Sequence, residues 1–548
     1  MTPSRRSVTL GALAVSGLAV ARPAAAFSGD VFSVSGKPGP YLKQVAGQPL
    51  DSGGGAARGG GGLVRGGGVL VRGGSGGPLG LASDAVNLGQ YQAARLRMPE
   101  TEAKVAALLA RLDARWPYAK SQGITVEILG VDYFNAYSLP DYSIVVAFGL
   151  LDEAQSDDEV AFVLGHELGH LRLGHFHAAA PAAKETLPSR MGQAILVDAA
   201  LRGAGGSAGS ALADSAAKAG ATNDLLHFLT GVSAEPGHTR EQEDQADCVG
   251  YDLCLAAAFS ADAASAKVFD SISADQQSRA RYTDTLNAEL KSELGRVLTP
   301  GAAASLLTGG FSTGGLLMGA GRIAFAMAAN RPPPPQHRPP EERKRGMAQY
   351  SADAYPQGAP LVDEKTTWLT SVRGSAEFTQ AKIAVEGVAD AQKARAAADY
   401  PTATAAIGRA SQTRFANAPL VLNEAARLRD NMGDTAGADA LFVRAHASPD
   451  QTVDGYLDHV RMLYRVQQND RALQIIQQGV GVFNNDDKPF LSLLIAVSLQ
   501  AGKPDDAQRY LGECLAVGDE ALASDCRLAA GKKAEPKHRS PFGLPFVP

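Results

Sequence analysis

His166 and His170 stand four residues apart with Glu167 between them, in the stretch HELGHLRLGHFH (166–177). On a helix that spacing puts both imidazoles on one face, about 6 Å apart along the axis. There they can share one Zn2+ at about 2.0–2.1 Å. Glu167 then lies beside the ion and can take a proton from an attacking water, whose pKa zinc lowers toward about 7. The chemistry on offer is hydrolysis at a carbonyl. Two histidines leave one protein ligand missing, and there are two ways to supply it. A histidine six residues beyond His170 would serve, but Phe176 stands there and His177 falls one residue late. In a continuing helix His175 points away from His166, and His177 sits about 10 Å further along the axis. Neither is expected to ligate. The other source is TREQEDQADCVGYDL (239–253), where Glu243 and Asp247 are again four apart. Glu243 is assigned as the third ligand, and Asp247 as the acceptor that fixes a ligand histidine's tautomer. Glu241 has no acid at the matching spacing and is the weaker candidate.

The elements around these residues must place them. ITVEIL (124–129) alternates and SIVVAF (143–148) is apolar and β-branched, so both are predicted strands. Val105, Leu108, Leu109 and Leu112 share one face of a helix expected to run from about Tyr91. Ser156-Asp157-Asp158-Glu159 reads as a capping box opening the helix that carries Phe162, Val163 and His166–His170. The Gly-, Ala- and Leu-rich segments 191–220 and 305–329 are expected to pack internally, with peripheral membrane contact as the other option. NRPPPPQHRPPEERKR (330–345) marks a boundary.

With 548 residues the chain exceeds a single core and predicts two or three domains. A net charge of −5 gives no electrostatic case for a nucleic-acid partner. At the N-terminus, Arg5-Arg6, an apolar run and Ala24-Ala25-Ala26 read as an export signal over 1–26, with a twin-arginine-like pair. The mature protein is therefore expected in the periplasm, with membrane association left open. Residues 27–90 form a Gly-rich linker in which Arg58, Arg65 and Arg72 recur every seventh position. Cys514 and Cys526 could bridge neighbouring helices in an oxidising compartment, whereas Cys248 and Cys254 diverge on one helix.

The C-terminal third carries a period. Ala403, Ala438, Ala472 and Ala507 are spaced 35, 34 and 35 residues apart, Ala403 and Ala438 each lying four residues after an Asp. Phe442, Ala445 and Pro449 follow Ala438. A repeat near 34 residues is that of tetratricopeptide helix pairs, predicted here over 380–530. Residues 531–548 read as a disordered tail.

Taken together, FNAYSLPDYSIVVAFGLL, SDDEVAFVLGHELGHLRLGH and TREQEDQADCVG resemble the gluzincin peptidases of the CAAX-prenyl-protease type, including HtpX-like and BepA-like proteins. The resemblance implies that His166, His170 and Glu243 hold one Zn2+ per chain, with Glu167 as the base. It further implies that Asn135 and Ala136 lie by a substrate-binding edge strand, and that His337, followed by Arg343, helps stabilise the oxyanion. Asp141 and Tyr142 replace the family's usual glycines after Leu-Pro. The expected fold is α+β, mostly helical: a zincin-like metallopeptidase domain with a small sheet over 91–350, then an all-α tetratricopeptide superhelix. The expected function is a zinc endopeptidase acting on misfolded or assembling envelope proteins. Its repeats would recruit protein or peptide clients, or the outer-membrane assembly machinery. The alternative is a chaperone or assembly adaptor whose peptidase site is latched or rarely used.

Overall fold

The computed structural model describes residues 40–45, 65–66, 71–72, 94–118, 123–139, 142–175, 238–297, 338–360, 362–483, 487–518 and 520–531. The export signal, most of the Gly-rich linker, His177, His337, the segments 191–220 and 305–329, and the tail beyond 531 lie outside the described residues. Within the linker, α1 (Tyr41–Gln44) precedes two short antiparallel strands, β1 (Arg65–Gly66) and β2 (Val71–Arg72).

Helix α2 spans Pro99–Asp113, so the helix expected from Tyr91 begins later. Residues ahead of it are extended: Arg95 bridges Leu129, and Leu96 N–H donates to the Ile128 carbonyl at 2.8 Å. The proline ring disfavours helical backbone at Met98, while Pro99 itself suits the first helical position. Val105, Leu108, Leu109 and Leu112 are buried as their spacing predicts.

Three strands follow, β3 (Thr125–Leu129), β4 (Ala136–Leu139) and β5 (Ser143–Ala147), in the order β3-β5-β4. β5 runs parallel to β3 and antiparallel to β4. Its alternate residues enter two different clusters: Ile144 and Val146 join the main core, and Val145 and Ala147 pack with Leu129, Tyr133, Tyr137 and Leu139. A strand buried on both faces reads as a continuous apolar run, which is why SIVVAF shows no alternation.

The short helix α3 (Phe148–Glu153) leads to α4 (Asp157–Leu173), in which nearly every residue is buried. Ser156 caps it, accepting from Glu159 N–H at 3.2 Å. The return half of the predicted box differs, because the Glu159 carboxylate accepts from Gln155 N–H at 3.0 Å. Next come α5 (Arg240–Ala256), α6 (Ala261–Val297) and α7 (Pro340–Ala354). A capping box that the sequence reading missed opens α5: Gln242 N–H donates to Thr239 Oγ1 and Thr239 N–H to Gln242 Oε1.

After a π-helical turn at Leu369–Arg373 the chain forms consecutive helix pairs. These are α8 (Ala376–Ala396) with α9 (Tyr400–Ala410), α10 (Pro419–Asn431) with α11 (Thr435–His446), α12 (Val453–Arg465) with α13 (Asn469–Val482), and α14 (Leu491–Gln500) with α15 (Pro504–Ala516). Helix α16 (Glu520–Ala529) ends the described chain, joined to α15 by the Cys514–Cys526 disulfide. Cys248 and Cys254 are buried free thiols. Each periodic alanine sits in the second helix of its pair, and all four are buried. Asp399 and Asp434 are the caps one turn before, accepting from Thr402 N–H and Gly437 N–H. The buried alanine recurs in all four pairs, whereas the side-chain cap occurs in the first two, since Gln468 and Lys503 make none.

Trp368 ties the two regions together. Its ring is fully buried and its Nε1–H donates to the Leu151 carbonyl at 2.9 Å, while Phe378 of α8 stacks on Phe148 of α3 at 4.7 Å. Trp368→Ala is expected to lower unfolding free energy by about 3–5 kcal/mol, measured by denaturant titration. A loss under about 1 kcal/mol would mean that this ring does not anchor the connection.

Candidate metal centre

Helices α4 and α5 approach so closely that little beyond backbone separates them. A Cβ on Gly165 would lie 3.0 Å from Gly250 Cα, and one on Gly169 would lie 3.1 Å from Ala246 Cα. A Cβ on Gly250 would come within 2.8 Å of the His166 backbone nitrogen. Gly165 and Gly169 are four apart, as are Ala246 and Gly250, so each helix offers the other a smooth stripe. This contact brings Glu243, one turn before Ala246, over the His166–His170 face.

Three donors converge there. His166 Nε2 lies 3.1 Å from His170 Nε2 and 3.4 Å from Glu243 Oε2, and His170 Nε2 lies 3.4 Å from Glu243 Oε1. Donors about 2.0–2.1 Å from a tetrahedral ion stand about 3.3–3.4 Å from one another, so the triangle has the size of one face of a zinc site. Among the described residues these three form a group able to hold a metal ion, and all are buried. Two imidazoles and a carboxylate suit Zn2+. Glu167, buried beside His166, is the next carboxylate on α4.

The outer contacts set the electrostatics. His166 Nδ1 meets Asp247 Oδ1 at 2.8 Å, and Arg343 of α7 grips the same carboxylate through Nε at 2.9 Å and a terminal nitrogen at 2.6 Å. Burial pushes the Asp247 carboxyl up, but Arg343 and His166 outweigh it and hold it below its ordinary value. In the metal-free protein burial also disfavours the His166 cation, yet Asp247 and Glu243 raise its pKa to about 10. His170 is driven by burial to about 3 and stays neutral. Asp244 belongs to a separate pair, accepting both forks of Arg338 at about 3.0 Å. Within EQED the exposed Glu241 thus differs from Glu243 and Asp244, which are buried, Asp244 against Arg338.

Two histidines differ from expectation. The helical extrapolation that turned His175 away is overturned, because α4 ends at Leu173 and Gly174 adopts φ 66°. That left-handed residue reverses the chain and places His175 Nδ1 2.9 Å from His170 Nδ1. His175 still stands outside the ligand triangle. His238, which the sequence reading passed over, stacks on His170 with centroids 4.0 Å apart and planes at 18°. It stands one residue before the Thr239 cap, and only the α5 boundary could have drawn notice to it. Arg343, the arginine that follows His337, faces Asp247; His337 itself lies outside the described residues.

Asn135 immediately precedes β4 and Ala136 opens it, and the strand packs on α4. Asn135 is already engaged, its carbonyl accepting from Ala147 N–H at 2.9 Å. Bonded pairs alternate in an antiparallel ladder, so the main-chain groups of Ala136 and Ser138 face the other side. Among the described residues β4 has β5 as its one strand neighbour.

A buried two-imidazole, one-carboxylate triangle with an adjacent glutamate defines a metallopeptidase-type centre. In agreement, residues 99–310 match Peptidase family M48, so the chain carries a domain of that family, which points to a metalloprotease. A 56-residue stretch is also 48% identical to the mitochondrial metalloendopeptidase OMA1 of Arabidopsis thaliana. That similarity covers 10% of this chain and 12% of the other.

Gly250→Val should force α5 away from α4, since its Cβ would meet the His166 backbone at 2.8 Å. Overpacking of about 1–3 kcal/mol falling on the site would weaken zinc binding about ten- to hundredfold, read by chelator competition on the folded variant. Unchanged affinity would show that the close approach does not set the triangle.

Proposed function

We propose that the protein is a zinc-dependent endopeptidase of the periplasm that hydrolyses peptide bonds in misfolded or assembling envelope proteins. The convergence of His166 Nε2, His170 Nε2 and a Glu243 carboxylate beside Glu167 carries this reading. Zinc held by the three would supply a Lewis acid that acidifies the attacking water and polarises the scissile carbonyl. The remaining work falls to the chain's own residues. The Glu167 carboxylate accepts the proton of the attacking water as the new C–O bond forms. The same carboxyl returns a proton to the amine nitrogen as the C–N bond breaks. Asp247, held by Arg343, keeps a proton on His166 Nδ1 and leaves Nε2 to coordinate.

Substrate would bind as an added strand on β4, its backbone pairing with the outward groups of Ala136 and Ser138. Such binding reads main chain rather than sequence and suits unfolded clients. The consecutive helix pairs from α8 to α15 support a tetratricopeptide-type surface for recruiting clients or an assembly partner. His337, the proposed oxyanion group, lies outside the described residues.

Glu167→Gln should cut turnover of an unfolded protein such as casein by about 10²–10⁴-fold while leaving one zinc per chain. Retained proteolysis in that variant would sink the mechanism. A second measurement follows from His166, which holds a proton up to about pH 10 in the metal-free protein. Zinc must displace that proton, so apparent zinc affinity should rise about tenfold per pH unit between about pH 6 and 8. A flat profile would remove His166 from the ligand set.

A further inference from the structure

A line of polar side chains outside the ligand triangle ends on His170. His175 Nδ1 lies 2.9 Å from His170 Nδ1, and His175 Nε2 lies 3.1 Å from Gln245 Oε1. Gln245 Nε2 faces Glu241 Oε1 at 3.5 Å, and Gln242 Nε2 holds the His175 carbonyl at 3.3 Å. Chemistry dictates the direction of this line. A carboxylate only accepts, so Gln245 turns its amide NH2 to Glu241 and its oxygen to His175. His175 Nε2 must then donate. A neutral imidazole carries one N–H, so His175 Nδ1 accepts. The proton in the 2.9 Å contact is therefore on His170 Nδ1, and His170 Nε2 is left with its lone pair toward His166 and Glu243.

We propose that Glu241, Gln245 and His175 form a polarity relay that locks His170 in the Nδ1–H tautomer, making its Nε2 available to the metal ion. Gln245 and His175 are positioning residues: they act through His170 and touch neither substrate nor metal. The two ligand histidines are thus oriented by different means, His166 by an anion in direct contact and His170 through two neutral side chains that end on the exposed Glu241. The difference suits the charge of the site. Glu243 and Glu167 already stand there, and Asp247 is offset by Arg343. A second carboxylate in direct contact with His170 would add uncompensated negative charge in a buried place, which His175 does not; Gln245 lies one contact further out and is partly exposed. His238, stacked on His170 at 4.0 Å, fixes the ring plane while the relay fixes its proton.

The inference rests on the reading of His166, His170 and Glu243 as zinc ligands, and its test separates the two. Zinc affinity of the full-length chain is measured by chelator competition for wild type and three variants at partly exposed Gln245. Gln245→Glu keeps an acceptor toward His175 and should bind within about threefold of wild type. Gln245→Lys offers only donors, reverses the relay and should bind about 10- to 100-fold more weakly. Gln245→Met, with no polarity, should fall between them. If the Lys and Met variants bind alike, or if the Lys variant matches wild type, the relay is overturned while the metal centre stands. A wild-type chain that takes up no zinc overturns the metal centre and the relay with it.

Discussion

The contact between α4 and α5 is the constraint on which the rest of the centre depends. Helices carrying ordinary side chains pack about 8–10 Å apart, and at the wide end of that range a glutamate on one would stand off from histidines on the other. Here Gly165, Gly169, Ala246 and Gly250 remove the intervening side chains, leaving the backbones about 3 Å from any added Cβ. A glycine in a helix interior costs about 0.5–1 kcal/mol relative to alanine. Three such residues in two helices are a standing cost that packing alone does not explain, and that the Glu243–histidine triangle does.

That closeness creates an electrostatic problem. Glu243, Asp244 and Asp247 all lie buried within five residues of α5. Buried carboxylates are tolerated when paired, and α7 with its leading segment supplies the partners: Arg338 for Asp244 and Arg343 for Asp247. A distant segment of the chain is therefore drawn onto the back of the site by charge. Its tyrosines extend the same interface, with Tyr350 and Tyr355 donating to the buried Asp252 at 2.8 Å. Asp252 also accepts from Leu42 N–H at 2.8 Å, which holds the α1 segment against α5.

The sheet and the helix pairs bear on the centre differently. Among the described residues β4 has β5 as its one strand neighbour, and it packs on α4, the helix that holds both histidines. The helix pairs lie further off, joined through Trp368 and through Phe378 on Phe148. Arg97, just ahead of α2, pairs with Asp450 near the start of α12, which adds a further tie between the regions.

Local spacing made a large part of this legible without a fold. His166, Glu167 and His170, the partnership of Glu243 with Asp247, the Ser156 cap, β3, β5 and the alanine period each depend on backbone repeats of 3.6, 2 or about 34 residues, which a sequence carries within itself. The start of α2 slipped because apolar spacing says nothing of a proline's effect on the residue before it. His175 was misplaced because a helix was continued through Gly174, and its left-handed turn depends on what the reversed chain meets. His238 carries no local pattern, and the place of Arg343 after His337 does not foretell its partner, since their roles are pairings across 68 and 96 residues. The sequence by itself determined which side chains could share a metal, because one helix turn sets their separation. Only the tertiary structure decided that they do meet, and in which tautomers, because helix approach and buried charge pairing arise from long-range packing.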